Sequence, residues 1–218
     1  MKAEIRILSD TEYRNHPAIC NSDLSIARDI LSGRVRKKPA LALRIGSAVH
    51  MALLEPQVWQ QERLKMKDDE VKRVDKLAAA VKRNSLFGPI IEDEEILKEV
   101  CLFWTDEETG TECKAKADLL QPDLLLGDVK TTAAQNKERF LMDAFRFDYD
   151  RQLAFYNSAV GAERLLLIGI SKKSRGSVYF SEFDAESEFI QVGVAKYRAL
   201  LKAVSDSPAL RKEVYNLR

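Results

Sequence analysis

Histidine is nearly missing from this chain, and cysteine is sparse: two His and three Cys occur in 218 residues. Two His, at 16 and 50, are too few for a typical multi-His zinc site. Cys20, Cys101 and Cys113 show no CxxC spacing. An odd, sparse set in a chain of this length fits a reduced, cytoplasmic protein rather than a disulfide scaffold. No apolar run approaches the roughly 18 residues that span a bilayer. The opening stretch, MKAEIRILSD, has no apolar leader segment, so no secretory signal and no membrane partner are expected. An excess of one charge is lacking too. The 35 Lys+Arg against 34 Asp+Glu leave a net charge of +1, which argues against a polybasic surface that binds nucleic acid everywhere but leaves room for a local basic site. Linkers rich in Gly, Ser or Pro and internal repeats are absent. So are GxxxxGK[ST], GxGxxG and GxSxG, which removes the nucleotide-binding loops and the serine-hydrolase elbow.

What is present suffices for a large core: 45% hydrophobic residues and 32% charged ones. Asn21 or Ser22 is placed to cap a helix through Leu24, Ile26, Ala27, Ile30 and Leu31, with Gly33 as its stop. A basic stretch follows at Arg34, Arg36, Lys37 and Lys38. Pro39 is expected to open a second helix through Leu41, Ile45, Val49 and Leu53 that ends before Pro56. Helical spacing returns over 69–84, and the acidic stretch 92–99 predicts a short helix or its exit. The period then changes. Val100–Thr105, the alternating 111–120 and Leu124–Thr131 predict a three-stranded antiparallel meander with turns at Glu108-Thr109-Gly110 and Gln121-Pro122-Asp123. Helices over 134–145 and 149–160, a buried strand Arg164–Ser171, a Ser174-Arg175-Gly176 turn, a strand over 177–183 and a long helix over 185–205 complete one α/β domain. Its mixed central sheet is flanked by helices. Residues 1–20 form an N-terminal extension, 21–205 the core and 206–218 a C-terminal tail.

The residues with most chemical content are Asp118, Asp128 and Lys130. A turn centred on Pro122 sets 118 opposite 126 and 116 opposite 128, and puts all these even-numbered side chains on one face. Asp118 and Asp128 are then diagonal neighbours, close enough to share a cation, with Lys130 beside them. Two carboxylates facing one point suit Mg²⁺, and a neighbouring ammonium can stabilise charge on a phosphate. Without a metal, one of the two acids should have a raised pKa. The alternative is an ordinary solvated face. Gly127 before Asp128, in a strand otherwise apolar on both sides, suggests a bulge or a close ligand approach. His50 in Gly46-Ser47-Ala48-Val49-His50 is either a ligand or a packed core histidine; Gly46 and Ser47 leave room beside it for an ion or a backbone. Gln152 and Tyr156 share a helix face. Arg34, Arg36, Lys37, Lys38 and Arg44, with Lys114 and Lys116, offer a phosphate-binding track or a solvated loop.

Taken in order, GSAVH with Leu54-Glu55-Pro56, then Glu108-Thr109-Gly110 through Lys116-Ala117-Asp118, then Asp128-Val129-Lys130-Thr131-Thr132-Ala133, then Tyr149 through Tyr156 resemble the four motifs of the RecB-like branch of the PD-(D/E)xK nuclease superfamily. The pattern is closest to its RecE-like (exodeoxyribonuclease VIII-like), phage-type exonucleases. The resemblance spans about Asn21 to Leu201. It implies a restriction-endonuclease-like core with His50, Asp118, Asp128 and the Val129 carbonyl as ligands of Mg²⁺, for which Mn²⁺ would substitute. Lys130 would be catalytic beside His50, Asp118 and Asp128, and Gln152, Tyr156 and Thr131 would contact DNA. Ala117 replaces the proline that names the superfamily. Glu99 is a further ligand or a water-mediated partner, and Glu55 either joins the site or only closes a helix.

The activity implied is 5′→3′ hydrolysis of duplex DNA ends to 5′-mononucleotides, leaving a 3′ single-stranded tail. The same resemblance implies a ring-shaped homo-oligomer, hand-over to a RecT-like annealing protein, and a phage or prophage origin in a bacterial cytoplasm. The rival expectations are a non-catalytic DNA-binding module of the same fold, or a RecB-like single-strand nuclease or endonuclease.

Overall fold

The computed structural model describes residues 3–34, 42–173 and 177–218. Arg36, Lys37, Lys38, the Pro39 helix start and the Ser174-Arg175-Gly176 turn therefore lie outside the described residues. The chain begins with β1 (Glu4–Arg6), α1 (Asp10–Asn15), α2 (Asn21–Leu31), α3 (Ala42–Leu54), α4 (Pro56–Glu62), a 3₁₀ turn, α5 (Asp68–Lys82) and α6 (Gly88–Glu92). It continues through β2 (Leu97–Thr105), β3 (Glu112–Gln121), β4 (Leu125–Thr132), α7 (Lys137–Arg146), α8 (Tyr149–Val160), β5 (Arg164–Ser171), β6 (Val178–Phe183), α9 (Glu188–Asp206) and α10 (Pro208–Asn216). The strands form one six-stranded sheet in sequence order. β4 and β5 are parallel and every other pair is antiparallel, so the sheet is mixed and contains the expected meander β2–β3–β4. The parallel step needs a crossover, which α7 and α8 supply. Among the described residues no helix is long and apolar enough to cross a membrane.

Leu165 and Leu167 belong to one buried apolar cluster and Leu166, Ile168 and Ile170 to another. Neighbours along a strand point to opposite faces, so one cluster lies on each face of the sheet. The first contains Leu153 and Phe155 of α8; the second contains Val49 and Leu53 of α3. The helices that carry Gln152 and His50 thus sit on opposite sides of the sheet.

Several expectations need correction. The acidic stretch ends in a strand rather than a helix exit, because β2 begins at Leu97 and includes Glu99. The turn between β3 and β4 is centred on Asp123, which takes the left-handed conformation (φ 63). The pairs are Leu119↔Gly127, Leu120↔Leu126 and Gln121↔Leu125, a register that sets Asp118 opposite Asp128 rather than 126. Gly127 makes room for a neighbour and not for a ligand: a Cβ there would lie 3.0 Å from the Leu119 side chain. The α2 start uses neither Asn21 nor Ser22 as its cap. The Asp23 carboxylate accepts the Cys20 N–H at 2.8 Å instead.

The two ends pack onto the domain. β1 pairs with β2. Lys114, expected on a polar strand face, is 2% exposed, and its ammonium donates to the carbonyls of Tyr13 and His16. The supposed tail is helix α10, followed by Arg218, which holds Asp23 at 2.7 Å and donates to the Ala18 carbonyl at 3.0 Å.

A second charged network joins α2, α8 and α9. Asp148, buried and left-handed (φ 57), takes Arg28, Arg151 at 3.2 Å and Lys196 at 3.0 Å. Arg151, 1% exposed, also reaches Ser25 and Asn21. Removing one partner of a buried network strands the others. Asp148→Ala is expected to destabilise the fold by about 3 kcal/mol in urea unfolding. Asp148→Gly should lose somewhat less, since glycine removes the left-handed strain.

Candidate metal centre and catalytic site

The β3–β4 pairing stops at Leu119↔Gly127, and the next residues on each strand are Asp118 and Asp128. On the other side of β3, the pairs Lys98↔Leu119 and Val100↔Ala117 bracket Glu99 opposite Asp118, and that one pair is missing. Glu99 lies in the left-handed region, at φ 56. A non-glycine residue there is strained, and such strain gathers at functional sites. The interruption also disturbs alternation. Ala117 and Leu120 sit in the first apolar cluster and Leu119 in the second, so the even-numbered side chains of β3 change face across Asp118. The expectation that 116, 118 and 128 emerge together on one face is therefore wrong. Lys116 points toward the α3 layer. Asp128 and Lys130, which alternate with Val129 of the second cluster, point toward the α8 layer.

Helix α3 brings His50 to this gap. Its approach to β4 depends on Gly46, where a Cβ would lie 2.6 Å from Thr131 Oγ1. His50 Nε2 is 2.8 Å from Asp118 Oδ2, and Nδ1 is 2.9 Å from Glu99 Oε1. The same Asp118 oxygen accepts the Val129 N–H at 2.7 Å. Lys116 is held by Glu99 at 2.7 Å and Asp10 at 2.9 Å, with Glu55 at 3.8 Å, so it is engaged within the cluster rather than presented on a phosphate track. On the other layer, Lys130 and Gln152 both donate to Asp128 Oδ1 at 2.7 Å. Tyr156, one turn on from Gln152, is 8% exposed and packs in the first cluster; it supports α8 and does not present its ring to a ligand. Arg44 is exposed and pairs with Glu70 at 3.2 Å. Arg34 is exposed just beyond α2.

The charges respond to this crowding. Burial works against the His50 imidazolium, but Asp118 and Glu99 outweigh it and hold its pKa at about 10. Burial likewise opposes the Asp118 carboxylate, yet His50, Lys130 and the Val129 N–H keep it below the usual range. Burial pushes Asp128 up to about 6; Lys130 pulls it back and Asp118 adds to the rise. At the site Glu99 Oε1 is engaged by His50 Nδ1 at 2.9 Å, whereas the buried Asp128 Oδ2 has no hydrogen-bond partner among the described residues. Buried acceptors are rarely left so. His50, Glu99 and Asp118 offer ligand atoms within 4.8 Å of one another, and a mixed set of carboxylate oxygens and one imidazole suits a divalent cation. The site residues fit a metal ion.

Sequence reasoning missed how deeply Glu99 and Asp10 enter the site. Extending the Val100–Thr105 strand two residues backward would have placed Glu99 beside Asp118. Asp10 carried no such signal, since its contact with Lys116 spans 106 positions.

In the metal-free protein, Glu99→Gln is expected to lower the His50 pKa from about 10, as followed by NMR of the imidazole. A pKa raised on folding gives stability that is full below the unfolded value of 6.5 and is lost as pH rises through about 10. In the variant that loss should still begin near 6.5 but be smaller and complete at lower pH.

None of the curated proteins matches this chain. Among solved structures it is similar to a "Putative exonuclease" from Eubacterium rectale, with 17% identity, a TM-score of 0.65, and coverage of 92% of this chain and 87% of that one. It also aligns with an alkaline exonuclease (LHK-Exo) from Laribacter hongkongensis, at 11% identity and a TM-score of 0.40, over 97% of this chain and 86% of that one. The first of these likenesses establishes the fold. A family model described as a PDDEXK-like domain of unknown function (DUF3799) matches residues 25–211. The resemblance to the PD-(D/E)xK superfamily is thereby borne out, and the chain belongs to this PDDEXK-like family.

Proposed function

We propose that the protein is a divalent-cation-dependent deoxyribonuclease that hydrolyses phosphodiester bonds at the ends of duplex DNA. One observation carries this reading. Asp128 has one oxygen held by Lys130 and Gln152 and the other buried without a partner, near enough to Asp118 for the two carboxylates to repel, while His50, Glu99 and Asp118 bring their ligand atoms together within 4.8 Å. In this reading Asp118, Asp128, His50 and the Val129 carbonyl hold the ion. The Val129 N–H points to Asp118, and a strand residue turns its N–H and C=O to the same side, which supports the carbonyl as a donor there. A bound Mg²⁺ or Mn²⁺ supplies Lewis-acid stabilisation and a more acidic water.

The remaining work falls to the chain. Lys130 places positive charge beside Asp128, where negative charge would build on the phosphorus oxygens. Gln152 fixes Asp128 and, by the motif resemblance, would contact the DNA. Arg34 and Arg44, with Arg36, Lys37 and Lys38 beyond the described residues, are placed by sequence to meet backbone phosphates. Thr131 packs against Gly46 and acts through α3. The finer points rest on the motif resemblance: 5′→3′ polarity, 5′-mononucleotide products, a ring-shaped homo-oligomer, a RecT-like annealing partner, and phage-type recombination in a bacterial cytoplasm.

The decisive test is loss of linear duplex DNA with Mg²⁺ or Mn²⁺. EDTA should stop it, and closed circular DNA should survive. Asp128→Ala and Lys130→Ala are each expected to lower the rate on the order of 10²-fold or more. Protein that binds DNA but never cuts it with either ion would sink the proposal, and cleavage of closed circles would replace end-dependence with endonuclease action.

A further inference from the structure

The corner between α7 and α8 has surroundings that the metal cluster does not require. Phe147 is 54% exposed although aromatic. Asp148, next to it, is buried and left-handed. Tyr149 follows, with its ring 5.9 Å from that of Phe147 and 5.2 Å from the Lys130 ammonium. The Arg146 guanidinium lies 5.5 Å from the Phe147 ring. Lys130 in turn holds Asp128 at 2.7 Å. A continuous line therefore runs from the buried carboxylate through an ammonium and two rings to a surface guanidinium.

This corner is held stiffly. Arg28 from α2, Arg151 from α8 and Lys196 from α9 converge on Asp148. A left-handed residue other than glycine persists only where its surroundings over-determine it, and such residues cluster at ligand-binding positions. The effect of the three cations is to fix where the flanking rings stand. Phe147 is the exposed ring of the pair, Tyr149 is partly buried against the first cluster, and a cation stands over each; such a corner suits a ligand that is flat and apolar on its faces and anionic along its edge. A nucleotide has that character, and stacking on aromatic side chains is how proteins hold unpaired bases without reading their edges.

We propose that Phe147 and Tyr149 form a stacking platform for an unpaired nucleobase of the strand whose phosphodiester lies at Asp128 and Lys130, with Arg146 facing a neighbouring phosphate. The proposal rests on the nuclease reading and deepens it. The DNA end is engaged frayed, by its base faces, and with little preference for sequence.

The test uses the full chain in EDTA and a duplex whose ends carry a few unpaired nucleotides, the terminal ones replaced by 2-aminopurine. Stacking quenches the probe. The unaltered protein should quench it. Phe147→Ala and Tyr149→Ala should each abolish the quench and weaken end binding about ten-fold. Phe147→Trp should retain both, and Phe147→Leu, which keeps bulk but has no ring, should not. Unchanged quench and affinity in both alanine variants would overturn the platform. So would full function in Phe147→Leu, and so would a lower assembly mass in Phe147→Ala with DNA binding intact, which would mark a protein contact instead. The nuclease reading fails separately. A chain that quenches the probe in this pattern yet never cleaves with Mg²⁺ or Mn²⁺ keeps the platform and loses the nuclease. One that cleaves with unaltered KM and quench in both alanine variants keeps the nuclease and loses the platform.

Discussion

Asp118, Asp128 and Glu99 stand together where the ladders on both sides of β3 are interrupted, and little water reaches them. Buried carboxylates are costly unless each meets a cation or a donor. Here the partners come from separate elements: His50 from α3, Lys116 from within β3, Lys130 and the Val129 N–H from β4, and Gln152 from α8. Three acids thus face three cationic groups. The local features of the site follow from the need to deliver those partners. Gly46 is small so that α3 can reach β4, and Glu99 takes a strained backbone so that one carboxylate can span both His50 and Lys116.

The same interruption gives the site its two-sided construction. A regular sheet separates the helix layers on its faces, and the α3 and α8 layers belong to different apolar clusters. At Asp118 the alternation of β3 changes, and the acids can be approached from both layers at once. His50 reaches one aspartate and Gln152 the other. A fold alone does not specify an activity. What distinguishes this chain is that the buried Asp128 Oδ2 is left with unused acceptor capacity at that point, beside a lysine whose ammonium leads outward to Tyr149 and Phe147.

Much of the meander was legible because period two survives in β3 and β4 wherever pairing is regular. Asp118, Asp128 and Lys130 were legible as residues from the order of the four motifs, although the regular alternation that first drew them together breaks at Asp118. The face assignment of Lys116 was not, since it depends on a switch of alternation that no local pattern announces. Tyr156 looked like a partner of Gln152 because the two share a helical spacing, but α8 is covered on most of its surface and the tyrosine falls on the covered part. Lys114 looked solvent-facing until the N-terminal segment was seen to lie over it.

By itself, then, the chain's residue order determined most of the element types, the meander and the identity of the acids and the lysine, because each depends on neighbours a few positions apart. Only the tertiary structure decided which face each side chain takes, that Glu99 spans His50 and Lys116, and that Asp10 joins the cluster. Those outcomes depend on contacts between positions far apart in the chain, formed where two strands part company and where burial makes each charge answer to whichever partner the packing brings.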